Sequence, residues 1–216
     1  MQSKRGFVRR ILASPFLKRL IDVIFSLIGI FIFFPLMLFI SFIILLSMGR
    51  PIFFKQIRSG LNGKPFLIYK FITMLDLRDE SGNLLPDDLR ITSLGRILRY
   101  LRLDELPELF NILKGDMSLV GPRPTLPEQV LSYNDFQKKR LSIRPGLTGW
   151  AQINGNTKLS WEDRILLDIW YIDHWDLLID IKILYETIKV VFNGERINPL
   201  VLEEARKYAL NLNRSS

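Results

Sequence analysis

Between Val23 and Met48 the chain runs for 26 residues without a single charge. As one straight α-helix this run would measure about 39 Å, more than the ~30 Å hydrocarbon core of a bilayer. It is too long for a signal-peptide core, and no small-residue cleavage site follows it. A helix buried in a soluble protein is rarely apolar on every face, as this run is. The run belongs in lipid, so the rest of the chain must work at a membrane. Pro35, near the midpoint, removes a backbone hydrogen bond and favours a bend. Basic residues flank both ends, Lys18 and Arg19 before it and Arg50, Lys55, Arg58, Lys64 and Lys70 after it. A straight span would put one cluster outside, against the positive-inside tendency. A helix that bends at Pro35 and returns keeps both clusters cytoplasmic. A true span is the alternative, because spanning helices tolerate proline.

Composition narrows the chemistry. The 216 residues carry a formal net charge of +8, so the surface attracts anions such as phosphorylated substrates, anionic lipid or nucleic acid. Nucleic acid is not expected as a partner, because no recognised nucleic-acid module is present. The absence of cysteine excludes disulfides, thiolate catalysis and thiolate metal sites. With His174 as the only histidine, histidine triads and multi-histidine metal sites are nearly excluded. Lying between Asp173 and Trp175, it reads as a structural residue on a helix surface.

Taken in order, residues 1–19 mix Lys4, Arg5, Arg9, Arg10, Lys18 and Arg19 with apolar residues. That pattern suits either a segment lying on an anionic membrane surface or a plain basic tail. Residues 51–72 read as a β-hairpin, two Phe/Ile/Tyr-rich runs around Asn62-Gly63. The acidic stretch 76–90 does not match an EF-hand and reads as solvated loop. Thr92 to Leu103 predicts a basic amphipathic helix, and Glu128 to Leu141 a second helix. Ser160 can cap a long helical region reaching Val191. Trp150, Trp161, Trp170 and Trp175 fit either a membrane interface or the core. Residues 193–216 read as a polar tail.

The chemistry concentrates in residues 99–124. Asp104 and Glu105 precede Pro107, an apolar run from Leu106 to Leu113 is closed by Lys114-Gly115, and Gly121-Pro122-Arg123-Pro124 presents one guanidinium from a stiff loop. Acid, helix and fixed cation form a layout for handling phosphate. The plainer reading makes Asp104 the N-cap of the helix whose first turn holds Pro107, and Gly-Pro-Arg-Pro ordinary loop punctuation.

Several motifs resemble those of the small, monotopic bacterial polyprenyl-phosphate phosphoglycosyl transferases, also called undecaprenyl-phosphate sugar phosphotransferases. They are Lys18-Arg19-Leu20-Ile21-Asp22, Phe66-Leu67-Ile68-Tyr69-Lys70-Phe71, Leu103-Asp104-Glu105-Leu106-Pro107, Lys114-Gly115-Asp116-Met117-Ser118, Gly121-Pro122-Arg123-Pro124 and Arg144-Pro145-Gly146-Leu147-Thr148-Gly149. Together they cover roughly residues 15 to 192. The resemblance implies transfer of a sugar 1-phosphate from a UDP-sugar donor to undecaprenyl phosphate, with release of UMP, at the cytosolic face of the bacterial inner membrane. Such a step starts the assembly of a glycan or polysaccharide. It also implies Mg²⁺ as cofactor, with Asp104 as nucleophile and metal ligand and Glu105 beside it. Lys70, Arg123 and Arg144 match positions facing phosphate or nucleotide, and Asp168 an acidic position near the site. Membrane lipids are the surrounding partner, and a homodimer is compatible with this reading. In three places the chain departs from the family pattern: Phe34 stands where many relatives have serine, Ile72 where a basic residue is common, and Asn156 where arginine is usual. Donor identity is therefore not carried over.

The expected fold is mostly α with a small β-hairpin: a re-entrant membrane helix joined to a cytosolic α/β catalytic domain with amphipathic interfacial helices. Its parts are a basic interfacial segment over 1–19, the re-entrant helix over 20–49 bent near Pro35, the catalytic domain over 50–192, and a polar tail over 193–216. A non-catalytic membrane scaffold or lipid-binding protein is the competing function. Direct attack by the acceptor phosphate, with no covalent enzyme intermediate, is the competing mechanism.

Overall fold

A computed structural model of the chain describes residues 13–215; the interfacial segment expected over 1–19 lies outside the described residues up to residue 12. Helix α1 (Pro15–Ser47) begins where Ser14 Oγ accepts from Leu17 N and Pro15 takes the first helical position. It continues through Pro35 to Ser47. The sequence shows no polar face, yet tertiary contact gives α1 two sides. Asp22 and Ser26, four residues apart, and Met37, Ile40 and Ile44, three and four apart, are buried, while Phe31 is 84% exposed.

Both ends of α1 rest on the same body. Near its start, Arg19 donates to the carbonyls of Ile112 (2.6 Å) and Leu113 (2.9 Å). One turn on, Asp22 Oδ1 accepts from Ser118 Oγ at 3.0 Å and Leu119 N at 2.9 Å. Near its end, Met37, Ile40 and Ile44 form one core with Phe71 and Leu98.

Strands β1 (Phe53–Ser59) and β2 (Pro65–Phe71) pair antiparallel from Phe53↔Phe71 to Ser59↔Pro65, the expected hairpin. Asn62 and Gly63 both turn left-handed at its tip, as the Asn-Gly signal requires. The acidic loop that follows is exposed and holds itself: Asp79 Oδ1 accepts from the amides of Ser81 and Asn83, both at 2.9 Å. Its last turn is α2 (Asp87–Arg90). Helix α3 (Ser93–Tyr100), capped by Thr92, ends before the expected Leu103, because Arg102 turns left-handed at φ 58°. A 3₁₀ turn over Leu103–Glu105 then leads into α4 (Glu108–Lys114). Asp104 sits inside that turn, and Pro107 occupies the cap position of α4. The N-cap reading of Asp104 is therefore corrected.

Strand β3 (Ser118–Val120) pairs in parallel with β4 (Gly146–Thr148). Three-residue strands such as these are too short to show a period in the sequence. This pairing lays Gly-Pro-Arg-Pro against Arg-Pro-Gly at backbone contact: a Cβ on Gly146 would lie 2.0 Å from Gly121 N. Between the strands, the single helix expected over 128–141 is broken into α5 (Pro127–Leu131), α6 (Asp135–Lys138) and a 3₁₀ turn. Asn134 restarts it through a reciprocal box, accepting from Gln137 N at 2.9 Å and donating its own N–H to Gln137 Oε1 at 3.0 Å.

After α7 (Trp150–Ile153) come α8 (Trp161–His174), capped by Ser160, and α9 (Leu177–Asn193), capped by Asp176. The stretch read as a polar tail contains α10 (Pro199–Ser215), which lays Leu202, Ala205 and Ala209 into the core and pairs Arg206 with Asp163 at 2.9 Å. Trp150 is core, stacked on Trp170 at 5.1 Å. His174 stacks on Trp170 at 4.3 Å, a structural role as expected.

Candidate active site

Four elements converge on one charged cluster. Strand β2 supplies Lys70, the 3₁₀ turn Asp104 and Glu105, α4 Glu108, and the loop after β3 Arg123. Lys70 Nζ lies 2.5 Å from Glu105 Oε1 and 3.1 Å from Glu108 Oε1, and Arg123 Nη2 reaches the same Glu105 oxygen at 2.7 Å. Asn111, fully buried in α4, fixes β2 against this helix: its Oδ1 accepts from Tyr69 N at 3.2 Å and its Nδ2 donates to Leu67 O at 2.7 Å. Lys70 thereby has a set height over the carboxylates.

The three carboxyls differ by environment. Burial would raise Glu105, but Arg123 and Lys70 outweigh it and hold the group at about 2. Glu108 is pushed up to about 7 by burial, with Glu105 adding to the rise and Lys70 opposing it. Burial raises Asp104 as well, and the negative charge of Glu105 adds to this. Arg123 is held above its ordinary range mainly by Glu105. Asp104 makes no salt bridge among the described residues, whereas Glu105 and Glu108 each make at least one.

The other expected residues lie outside this cluster, although Asp168 lines the same cavity as Arg123. Asp168 forms a buried pair with Arg140 at 2.7 Å. Arg140 also donates to Tyr133 Oη at 2.9 Å and to the carbonyl of Arg123 at 3.0 Å. Through Arg140, Asp168 also holds the Gly-Pro-Arg-Pro loop from behind. Arg144 donates Nε to Gly115 O at 2.9 Å, at the opposite end of α4 from Glu108, so the structure does not bring it into the cluster.

Two cavities adjoin the cluster. One, of about 200 Å³, is walled by Arg58, Arg123, Arg140 and Arg164. Arg58 Nε and Gln152 Oε1, both from this wall, are buried without a partner among the described residues. The second, of about 620 Å³, is apolar, bounded by Phe25 and Phe33 of α1, Leu109 of α4 and Leu184 of α9, with Glu105 and Arg102 in its wall. Gln152 and Asn156 line both. The Arg123–Glu105 salt bridge joins them, since its arginine lines the first and its glutamate the second.

Sequence reading missed Glu108, Asn111, Arg58 and Arg140. A polar Asn111 inside an apolar helical run was a usable signal, as was Glu108 at three-residue spacing from Glu105. Arg58 and Arg140 carry no such mark. Among the described residues no three His, Asp or Glu side chains gather as a metal site. Glu105 is committed to two cations, which leaves Asp104 as the carboxylate able to offer oxygen. One carboxylate does not make a protein cage for Mg²⁺, but it fits an ion whose other ligands are substrate phosphates and water.

A cationic cavity and an apolar one meeting at a buried carboxylate cluster, beside a long helix with an exposed apolar face, fit a membrane-associated transferase. The chain belongs to the bacterial sugar transferase family, whose model matches residues 13–194. It is 49% identical to the sugar transferase EpsL of Bacillus subtilis, over 84% of this chain and 90% of that protein. It is 39% identical to the undecaprenyl-phosphate galactose phosphotransferase of Salmonella typhimurium, over 85% of this chain but 42% of the relative. Similarity to the exopolysaccharide production protein ExoY of Rhizobium meliloti is 36%, over 81% and 84%. The chain therefore spans nearly all of some relatives and less than half of others.

Proposed function

We propose that this chain transfers a sugar 1-phosphate from a UDP-sugar to undecaprenyl phosphate, releasing UMP and starting the assembly of a polysaccharide. The observation that carries the reading is the Lys70–Glu105–Arg123 cluster at the junction of the cationic and apolar cavities. An anionic diphosphate suits four arginines, one with a buried, unpartnered N–H. A polyprenyl chain suits the apolar cavity beside α1 and α9. Three of the relatives carry names that combine undecaprenyl phosphate with a sugar-phosphate transfer.

In this reading Asp104 is the nucleophile, because its carboxylate is free of ion pairs while Glu105 is held by two cations. An Asp104 oxygen attacks the β-phosphorus of the donor, and the bond from that phosphorus to the bridging oxygen breaks. The electron pair leaves with UMP. The resulting acyl phosphate is reactive; an oxygen of the acceptor phosphate attacks the same phosphorus and returns Asp104 as carboxylate. Arg123, held by Glu105 and by Arg140 behind it, keeps positive charge fixed against the transferred phosphoryl group. Mg²⁺, with Asp104 as a ligand, would neutralise charge building on the leaving phosphate.

The same reading makes α1 re-entrant, with the catalytic residues on the cytosolic face of the inner membrane. Support comes from the anchoring of both ends of α1 to one body: a helix crossing about 30 Å of hydrocarbon would carry one end away from it. A bend at Pro35 would let both ends stay.

Asp104→Asn tests the assignment. Expected is loss of UMP release in a folded protein, and in the wild type, without acceptor, labelled phosphosugar bound at Asp104. Unchanged turnover in the variant removes Asp104 as nucleophile. Wild-type turnover with no trapped label favours direct attack by the acceptor.

A further inference from the structure

Just beyond the residues matched by the family, Glu195 gathers two distant loops. Its Oε1 accepts from Arg102 Nη2 and from Asn156 Nδ2, each at 2.6 Å. Its Oε2 accepts from Thr157 N at 3.1 Å and from the Thr157 hydroxyl. A backbone bond from Asn198 N to Asn154 O, 3.2 Å, docks the same connection on the same loop.

The held residues are unusual. Among the described residues three that are not glycine have positive φ: Asn62, Arg102 and Asn156. Asn62 belongs to the hairpin tip. The other two, at φ 58° and 44°, are both ligated by Glu195. A left-handed arginine is strained and needs outside support. Arg102 stands two residues before Asp104 and begins the turn that presents Asp104 and Glu105. Asn156 is in the wall shared by both cavities.

We infer that Glu195 is a positioning residue, which clamps the turn presenting the Asp104–Glu105 pair to the wall between the two cavities. It touches neither the cluster nor the cationic cavity. Without it, Arg102 loses its counter-ion and its reason to stay left-handed, and the carboxylates two residues on lose their fixed direction. Hydrogen bonds from Thr157 and Asn156 keep the Glu195 carboxyl below its ordinary range despite partial burial, so the clamp is charged at neutral pH. The kinetic side of this inference rests on the proposed sugar-phosphate transfer; the conformational side does not.

The test compares wild type, Glu195→Ala and Glu195→Gln in full-length protein. The readouts are UMP release with both substrates varied, hydrogen exchange of residues 101–106 and 155–158, and the thermal midpoint. Glu195→Ala is expected to lower kcat about ten- to a hundredfold with donor KM within about twofold, the scale of a catalytic group displaced by about 1 Å. Exchange should quicken in both segments. Glu195→Gln keeps the shape and one acceptor oxygen, so it should fall between the two. Arg102→Gly added to Glu195→Ala should recover part of kcat, because glycine holds a positive φ without a clamp. Wild-type kcat in Glu195→Ala, or unchanged exchange over 101–106, overturns the inference. If the wild type itself releases no UMP, the proposed transfer fails, and exchange alone still decides the role of Glu195.

Discussion

Glu108→Gln gives the sharpest test of the charge arrangement. Glu108 is 3% exposed, and its carboxyl is raised from the ordinary 4.5 to about 7. The folded state therefore holds this proton more tightly than the unfolded chain. Stability contributed by the protonated form is fully present below about 4.5, is lost as pH rises through about 7, and stays lost above that. Between pH 5 and pH 8 the loss comes to about 2–3 kcal/mol, from the linkage relation with these two values. Glu105, held at about 2, has the opposite sign, but its contribution falls away only as pH drops from 4.5 toward 2, outside this window. Asp104 titrates in the same direction as Glu108 and remains in the variant, so the difference between the two proteins isolates Glu108. Denaturant unfolding of both proteins in detergent, followed by tryptophan fluorescence at pH 5, 6, 7 and 8, measures it. The wild type should lose about 2–3 kcal/mol relative to Glu108→Gln across the series. A difference that does not change with pH would mean that Glu108 keeps its ordinary acidity, and burial would not be what sets it apart from Glu105.

Three further outcomes are expected. Asp168→Ala should cost about 3–5 kcal/mol, because it strands Arg140 as a buried charge; Asp168→Leu combined with Arg140→Met should cost less, and unfolding midpoints compare them. Gly95→Ala should destabilise by about 1–3 kcal/mol or more, since the new Cβ would lie 2.0 Å from the carbonyl oxygen of Thr73 and push α3 off the hairpin's exit; a thermal midpoint equal to wild type refutes this. The chain has no cysteine of its own, so Ala13→Cys and Lys55→Cys can be labelled cleanly in sealed vesicles. Both should react from the same side, and labelling from opposite sides would make α1 a true span.

Much was legible without coordinates, and the reasons are local. An uncharged run of 26 residues announces one long apolar helix. Asn62-Gly63 names a hairpin tip, because the backbone there must turn left-handed. Asp104, Glu105, Lys70 and Arg123 were marked by motif, and the fold brings three of them into contact around one glutamate oxygen. The rest depended on distance in space. That Arg144 caps α4 while Arg140 supports Arg123 follows from the parallel pairing of β3 with β4, strands too short to carry a pattern. The order of α10 comes from burying Leu202, Ala205 and Ala209 on α8, a gain invisible in a segment that looks polar on its own. Sequence alone determined the kinds of chemistry available: a membrane helix, fixed cations, and carboxylates with no cysteine and a single histidine. Only the tertiary structure decided which carboxylate stays unpaired, since that depends on which cations the fold places within about 3 Å of each oxygen, and charge interactions follow separation in space rather than along the chain.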